Sequence, residues 1–257
     1  MSRRVASLLV CALAAPAALS APTGYVLHSN MTIYSVDAAT NAETFHSGTI
    51  FQSESLAVGP SGTLYSADGL GVIWQVGGPF IPVGPTTYTT IGDLDYGGGG
   101  LWGFDNFTQD LFFFDLGTGL VTYSQTIAGL LGATVTGVAH HTTSGDVFLS
   151  GNTGMNSDFL FRIPSFATSA TLVGQIIHGD QFSNVSDIDF DSAGNLYAMT
   201  WFHRWFYTVD LNTAAATFVS AGPHRDAVGL ALAPTVVPAP AAPLAFGLAL
   251  LARRRRR

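Results

Sequence analysis

One segment of this sequence combines side chains that suit the recognition of a polar ligand. Its five consecutive residues are Trp201, Phe202, His203, Arg204 and Trp205. Aromatic rings stack on the faces of sugar rings, and an arginine donates hydrogen bonds to hydroxyl or carboxylate oxygens. The segment is therefore a candidate for binding an extracellular glycan. The alternative is that the two tryptophans cover an apolar core while the histidine and the arginine project into solvent.

Repeated aspartates form a second candidate site. Asp93 and Asp187 each precede the central apolar residue of a similar apolar segment, and Asp95 and Asp189 repeat the match two residues on. Alternate residues of a β-strand face the same way, so these carboxylates would converge if their strands lined a common channel. Carboxylate oxygens are the ligands that calcium prefers. We predict Asp93, Asp187 and Asp189 as metal ligands, with calcium as the cofactor. The alternative is a set of solvated channel carboxylates.

Motifs of enzyme catalysis are missing from the sequence. It contains no H-E-x-x-H, G-x-S-x-G or phosphate-loop pattern. The adjacent His140 and His141 would point to opposite faces of a strand and would not chelate one ion. We predict no catalytic residue and a non-enzymatic protein. The enzyme hypothesis that stays open is a metal-dependent hydrolase or lactonase that uses the repeated aspartates.

Similar segments along the chain place these residues on β-strands. Each has an alternating apolar strand, a glycine-containing turn and aromatic strands. The central apolar residues of the first strands recur at intervals of 38, 44, 50 and 42 residues, at Leu56, Leu94, Val138, Ile188 and Leu230. A period of about 40 to 50 residues with four strands in each repeat is typical of a β-propeller. We predict an all-β, five-bladed β-propeller over residues 21–235. The alternative is a two-sheet sandwich.

The two ends of this region predict how the ring closes. The segment 227–233 looks like a first strand with no blade after it, and 24–28 and 32–37 look like second and third strands with no first strand before them. We expect the C-terminal strand to join the N-terminal blade, which removes exposed sheet edges. In a propeller, loops between second and third strands share one face with the connections between blades. The predicted binding residues on that face are Trp201, His203, Arg204, Trp205, Asp105 and Asn106.

One turn resembles those of a known group of propellers. The segment Asp191-Ser-Ala-Gly-Asn-Leu-Tyr197 is similar to the blade turn of NHL and SMP-30-like propellers, and 61–65 is a weaker copy. Glycine in such a turn allows a positive φ, and the aspartate or asparagine side chain bonds the local backbone. The group includes lactonases, lyases and pure binding propellers, so the resemblance implies a fold and does not select a function.

The N-terminal residues 1–20 have the pattern of a secretory signal peptide. Arg3 and Arg4 precede an unbroken apolar run, and small residues surround a cleavage point between Ser20 and Ala21. The alternative is a buried N-terminal helix. The only cysteine, Cys11, lies inside this segment. The exported domain is therefore predicted to contain no disulfide and no catalytic thiol.

The C-terminal residues 236–257 have the pattern of a membrane and sorting segment. No charge occurs from Val236 to Ala252, a length near the lower limit for a membrane-spanning helix, and arginines follow. The segment resembles the PEP-CTERM sorting signal of bacterial exported proteins in the residues Val237, Pro238, Ala239, Pro240, Arg253, Arg254, Arg255, Arg256 and Arg257. The resemblance implies an exosortase-type membrane protease as partner and the cell surface or extracellular matrix as destination. Ala239 stands where that signal has glutamate, so permanent anchoring is an alternative. A basic tail for nucleic acid is another alternative.

Without both terminal segments the predicted domain is acidic. Three arginines remain, at positions 162, 204 and 225, against 17 acidic residues, which gives a net charge of −14. Such a charge repels polyanions and disfavours nucleic-acid binding. It attracts cations, although an acidic surface also serves solubility alone. Together these patterns predict an exported cell-surface or matrix propeller that binds a glycan or a protein.

Overall fold

The chain forms five antiparallel β-sheets. The computed structural model describes residues 23–233 except 41, 50, 155–156, 166, 181–183 and 223–225. Each of the five sheets has four strands, so the predicted five-bladed, all-β propeller is confirmed. The predicted signal peptide and the predicted sorting segment lie outside the described residues. Among the described residues, no helix has the length and apolarity needed to cross a membrane.

Twenty strands make up the blades, and the innermost strand of each blade is β20, β4, β8, β12 or β16. Blade 1 contains β20 (Ala227–Leu232), β1 (Thr23–His28), β2 (Thr32–Asp37) and β3 (Glu43–Gly48). Blade 2 contains β4 (Ala57–Val58), β5 (Leu64–Ala67), β6 (Val72–Val76) and β7 (Ile81–Pro85). Blade 3 contains β8 (Ile91–Gly97), β9 (Gly100–Asp105), β10 (Asp110–Asp115) and β11 (Leu120–Thr126). Blade 4 contains β12 (Thr134–His141), β13 (Asp146–Asn152), β14 (Asp158–Ile163) and β15 (Thr171–Gln175). Blade 5 contains β16 (Val185–Phe190), β17 (Leu196–Thr200), β18 (Trp205–Val209) and β19 (Ala216–Ala221).

The last strand closes the ring as predicted. Strand β20 pairs with β1 in a register that sets Gly24 opposite Leu232. The backbone N–H of Ala233 donates to the carbonyl of Thr23 at 2.9 Å. We call the end of the propeller where the inner strands begin the upper face, and the end where they finish the lower face. Residues 23 and 233 therefore lie together at the lower face.

The apolar core lies between neighbouring blades. Five clusters of buried side chains occur, and each combines residues of two adjacent blades. The central residues of the inner strands, which the repeat spacing identified, are 0 or 1% exposed. Leu94 packs with residues of blade 2 and Val138 with residues of blade 3. Because apolar area removed from water is the main favourable term in folding, contact between blades stabilises the ring.

Close approach of two inner strands depends on Gly137. A Cβ added there would lie 2.6 Å from the backbone nitrogen of Ile188 and 2.6 Å from the Ser150 hydroxyl. We expect Gly137→Ala to lower the free energy of unfolding by about 1–3 kcal/mol, because the strands must move apart to admit a methyl group. The measurement is urea-induced unfolding. Gly78→Ala is the matched control, since its Cβ would meet nothing within 4 Å. Equal stability of the two variants would contradict this account.

Candidate functional site

A cleft opens at the centre of the upper face. It has a volume of about 300 Å³. Its lining includes the residue two positions before the central apolar residue of every inner strand, namely Glu54, Gly92, Thr136, Ser186 and Val228. Asn106, Asn152 and Trp201, which lie at equivalent upper ends of second strands, line the cleft as well. The propeller axis thus brings residues that are distant in sequence to one opening.

Some polar groups of the cleft hold its wall in place. The Asn106 amide donates to the Val135 carbonyl at 2.9 Å, and the Val135 N–H donates to Asn106 Oδ1 at 2.8 Å. The Thr136 hydroxyl donates to the Val185 carbonyl at 2.9 Å. These bonds join blade 3 to blade 4 and blade 4 to blade 5. The polar side-chain atoms of Asn106 and Thr136 that make these bonds already have partners. These side chains therefore stabilise the wall of the cleft more than they offer hydrogen bonds to a ligand.

Other polar groups of the cleft are free. Within the described part of the chain, the side chains of Glu54, Thr134, Asn152 and Trp201 make no hydrogen bond. Glu54 and Thr134 are exposed, Asn152 is half-buried, and Trp201 is 46% exposed. These side chains offer a carboxylate, a hydroxyl, an amide and an indole to one space, which suits a ligand rich in hydroxyl groups.

A second cleft of about 460 Å³ adjoins the first. The two share Glu54, Gly92 and Asn106. The second cleft extends outward over the upper ends of blades 2 and 3, past Gln52 and Thr89. Glu54 therefore lies where the two clefts meet, and a ligand made of several linked units, such as an oligomer, could occupy both clefts.

The repeated aspartates lie below the cleft and tie blades together. Asp93 Oδ2 accepts the N–H of Val138 at 2.8 Å, and Asp187 Oδ2 accepts the N–H of Leu230 at 2.5 Å. In the next layer, Asp95 and Asp189 accept the N–H groups of His140 and Leu232, each at 2.6 Å. In each case a carboxylate binds the backbone of the next blade's inner strand. All four aspartates are 0 to 7% exposed, so they are buried and not solvated.

Burial raises the pKa values of these four carboxyl groups. It raises the pKa of Asp95 to about 7. Burial and the neighbouring Asp93 carboxyl raise the pKa of Asp187, and burial also raises the pKa of Asp93 despite its hydrogen bond with Asp187. Burial and the Asp95 charge raise the pKa of Asp189. Two facing carboxyls favour a shared proton over two negative charges, because ionising both would bring like charges together.

The structure brings the predicted calcium ligands Asp93, Asp187 and Asp189 into one channel, in two layers. Among the described residues, however, no group of three acidic, histidine or cysteine side chains is placed to hold a metal ion. The calcium site stays a prediction. The metal-dependent hydrolase or lactonase hypothesis gains no support from the described residues.

The aromatic and basic segment is divided between surface and interior. Arg204 is fully buried and forms an ion pair with Glu43 of blade 1. The blade interface covers its guanidinium, so the alternative that Arg204 projects into solvent is wrong, whereas its ligand contact stays a prediction. His203 Nδ1 lies 2.8 Å from Asp180 Oδ1, and its ring stacks on Trp205 with centroids 5.3 Å apart. Only Trp201 of this segment lines the cleft.

Asp105 is buried as well. It is 1% exposed, and its carboxylate accepts hydrogen bonds from Thr90 and Thr108. These bonds lower the pKa of Asp105 despite its burial. Its carboxylate holds the turn after β9, and its ligand contact stays a prediction.

Sequence reasoning missed three of the four free groups, Glu54, Thr134 and Asn152. The repeat alignment did contain information on Glu54. Like Gly92 and Ser186, Glu54 lies two residues before the central apolar residue of its repeat. Asn152 occupies the position of Asn106 and Trp201. Comparing equivalent positions across blades would have identified both residues.

Comparisons with known proteins establish the fold alone. No family model and no curated protein matches the sequence. The structure matches 760 chains among solved structures, so the fold is shared too widely to identify a ligand. One match, from the crystal structure of a nidogen/laminin complex, has a TM-score of 0.55 and 12% identity and covers 82% of this chain and 98% of that chain.

Proposed function

We propose that this protein is an exported, non-enzymatic binding module that holds a glycan in the axial cleft. The observation that carries the proposal is the convergence of free polar side chains beside the half-exposed Trp201. The indole face suits the apolar face of a sugar ring. The Asn152 amide and the Thr134 hydroxyl can donate to and accept from sugar hydroxyls.

The chain ends support a surface location. Residue 233 leaves the propeller at the lower face, so a membrane segment within 236–257 would point the cleft away from the membrane. In our proposal the N-terminal signal directs export. The PEP-CTERM-like tail then directs the protein to an exosortase-type protease at the bacterial envelope.

Replacing Trp201 tests the glycan site. We expect Trp201→Ala to weaken glycan binding by about two- to tenfold, because stacking on an aromatic ring contributes about 0.5–1.5 kcal/mol beyond burial. The measurement is titration calorimetry with matrix oligosaccharides. Phe218→Ala is the matched control, since Phe218 is 53% exposed but lies on outer strand β19. An equal loss in both variants, or no loss in Trp201→Ala, would exclude the cleft.

A separate measurement tests the proposed sorting. The intact mass of the protein recovered from the cell surface should correspond to loss of both terminal segments. Retention of the five C-terminal arginines would indicate a plain membrane anchor and contradict processing by an exosortase-type protease.

A protein partner is the second candidate. Six of the large exposed apolar residues in the described chain lie on upper-face loops, namely Met31, Leu70, Phe107, Leu131, Ile177 and Trp201, and the other five lie on strands β3, β7, β11, β15 and β19. Exposed apolar patches mark interaction sites. The similar solved chain comes from a nidogen/laminin complex, which is consistent with this candidate. Matrix binding that survives glycosidase treatment but falls in Phe107→Ser would favour it.

A further inference from the structure

The charge at the mouth of the cleft indicates which glycans it accepts. Of the five equivalent residues that ring the opening, Glu54 alone is ionisable. It is exposed, and within the described chain its carboxylate has no partner. A carboxylate only accepts hydrogen bonds, so it matches a donor and above all a cationic donor.

Among the residues that the structure describes, no arginine lies at this opening. Of the two described arginines, Arg162 bonds Asp146 at 2.6 Å on β14, and Arg204 is buried against Glu43. Neither lines either of the two clefts. The predicted exported domain has a net charge of −14. An anionic glycan such as a polyuronate would therefore meet repulsion at the mouth.

The layer below the mouth also has acidic groups. Asp93 and Asp187 follow directly after the mouth residues Gly92 and Ser186 on strands β8 and β16. They are buried and bond backbone N–H groups, and because burial raises their pKa values they add little negative charge and do not contact the ligand. Of the acidic groups at or just below the mouth, Glu54 is therefore the one whose carboxylate can contact a ligand in the opening.

We propose that the cleft selects glycans with free amino groups, and that Glu54 is the specificity-determining residue. The inference rests on the proposed function and narrows its ligand to de-N-acetylated amino sugars. The sugar ring stacks on Trp201 while its ammonium group donates to the Glu54 carboxylate. N-acetylation removes that charge, so the acetylated sugar keeps the stacking and loses the ion pair.

The test uses three tetrasaccharides with the full exported chain. They are β-1,4-linked glucosamine, β-1,4-linked N-acetylglucosamine and galacturonate. We expect the glucosamine tetramer to bind about tenfold more tightly than the acetylated one, which corresponds to about 1.4 kcal/mol. The galacturonate tetramer should bind most weakly. High salt should reduce the preference for glucosamine, because exposed charges are screened.

Glu54→Gln separates the ion pair from other effects. The variant should bind the glucosamine tetramer and the N-acetylglucosamine tetramer with similar affinity, because it removes the charge and keeps the shape. Asp226→Asn is the matched control. It removes one negative charge from the β19–β20 connection, outside the cleft, and should leave the tenfold preference unchanged.

Three results would overturn the proposal in different ways. The specificity would be refuted if the wild type bound the glucosamine and N-acetylglucosamine tetramers with equal affinity, or if Glu54→Gln still preferred the glucosamine tetramer. Either result would leave glycan binding itself intact. Loss of the preference in Asp226→Asn as well would assign it to overall charge. No binding of any tetramer would contradict the proposed function itself.

Discussion

Replacing Arg204 with methionine is expected to lower the free energy of unfolding by about 3–5 kcal/mol. The substitution removes one partner of a buried ion pair and leaves the Glu43 carboxylate, which also lies 3.4 Å from His28 Nε2, without the guanidinium charge. Loss of one partner of a buried ion pair is among the most destabilising changes in a protein. Burial lowers the pKa of Arg204 to about 10, which keeps the guanidinium charged at neutral pH.

The ion pair lies where the ring closes. Arg204 belongs to the β17–β18 loop of blade 5, and Glu43 begins β3 of blade 1. The Ser220 hydroxyl of blade 5 donates to the Ala38 carbonyl of blade 1 at 2.9 Å across the same interface. A Cβ on Gly222 would lie 2.1 Å from Arg204 Nη2, so the space beside the guanidinium admits only glycine. The pair thus stabilises the contact between the last blade and the first.

Urea unfolding measures this effect, and a second arginine provides the control. Arg162 pairs with Asp146, but its side chain is 48% exposed. Arg162→Met should therefore cost at most about 1 kcal/mol, because solvent screens the pair. The double variant Arg204→Met/Glu43→Gln should recover part of the loss. If Arg204→Met does not fold, Arg204→Lys, which keeps the charge, should fold with intermediate stability. A loss in Arg204→Met no larger than that in Arg162→Met would refute the account.

Stability is expected to fall as the pH rises from about 4 to about 7. The carboxyl of Asp95 has a pKa raised from 3.8 to about 7 by burial. Below pH 4 the folded and unfolded states both hold its proton. Between pH 4 and 7 the folded state alone holds it, so each pH unit lowers the free energy of unfolding by up to about 1.4 kcal/mol for this group. Asp93, Asp187 and Asp189 act in the same direction, because burial raises the pKa of each.

Other aspartates act in the opposite direction at low pH. Hydrogen bonds within turns lower the pKa values of Asp105, Asp115 and Asp210, and the Arg162 pair lowers that of Asp146. Their contribution is present above about pH 4 and is lost on further acidification. We therefore expect maximum stability at about pH 4 to 5, with a decline on both sides.

Thermal unfolding across pH 3 to 9 checks this prediction. The double variant Asp95→Asn/Asp189→Asn should flatten the decline above pH 5, because it removes two of the four carboxyls that must ionise. Asp115→Asn is the control, since Asp115 stabilises an exposed turn and its loss should leave that slope unchanged. Stability that rises from pH 5 to 8 in the wild type would show that the channel carboxyls are ionised and stabilised by another group.

The spacing of apolar residues in the sequence predicted much of the fold. The interval between central apolar residues predicted five blades, because each blade must bury one inner strand against its neighbours. The half-blades at the two ends predicted the pairing of β20 with β1. The equivalence of Asp93 with Asp187 was visible as well. The role of these aspartates could not be predicted, because an aspartate that binds the backbone of the next blade has the same sequence pattern as one that binds a metal.

The chain by itself determined its β-class, its repeat number and its closure, because strand alternation and apolar spacing are local properties of sequence. Only the tertiary structure decided which side chains line the axial cleft. Trp201 and Arg204 belong to one short loop, yet one is half-exposed and the other is covered by Glu43 from the opposite end of the chain. Glu54, Thr134 and Asn152 meet at one opening because the ring brings distant inner strands around a single axis, and burial and convergence depend on those distant contacts.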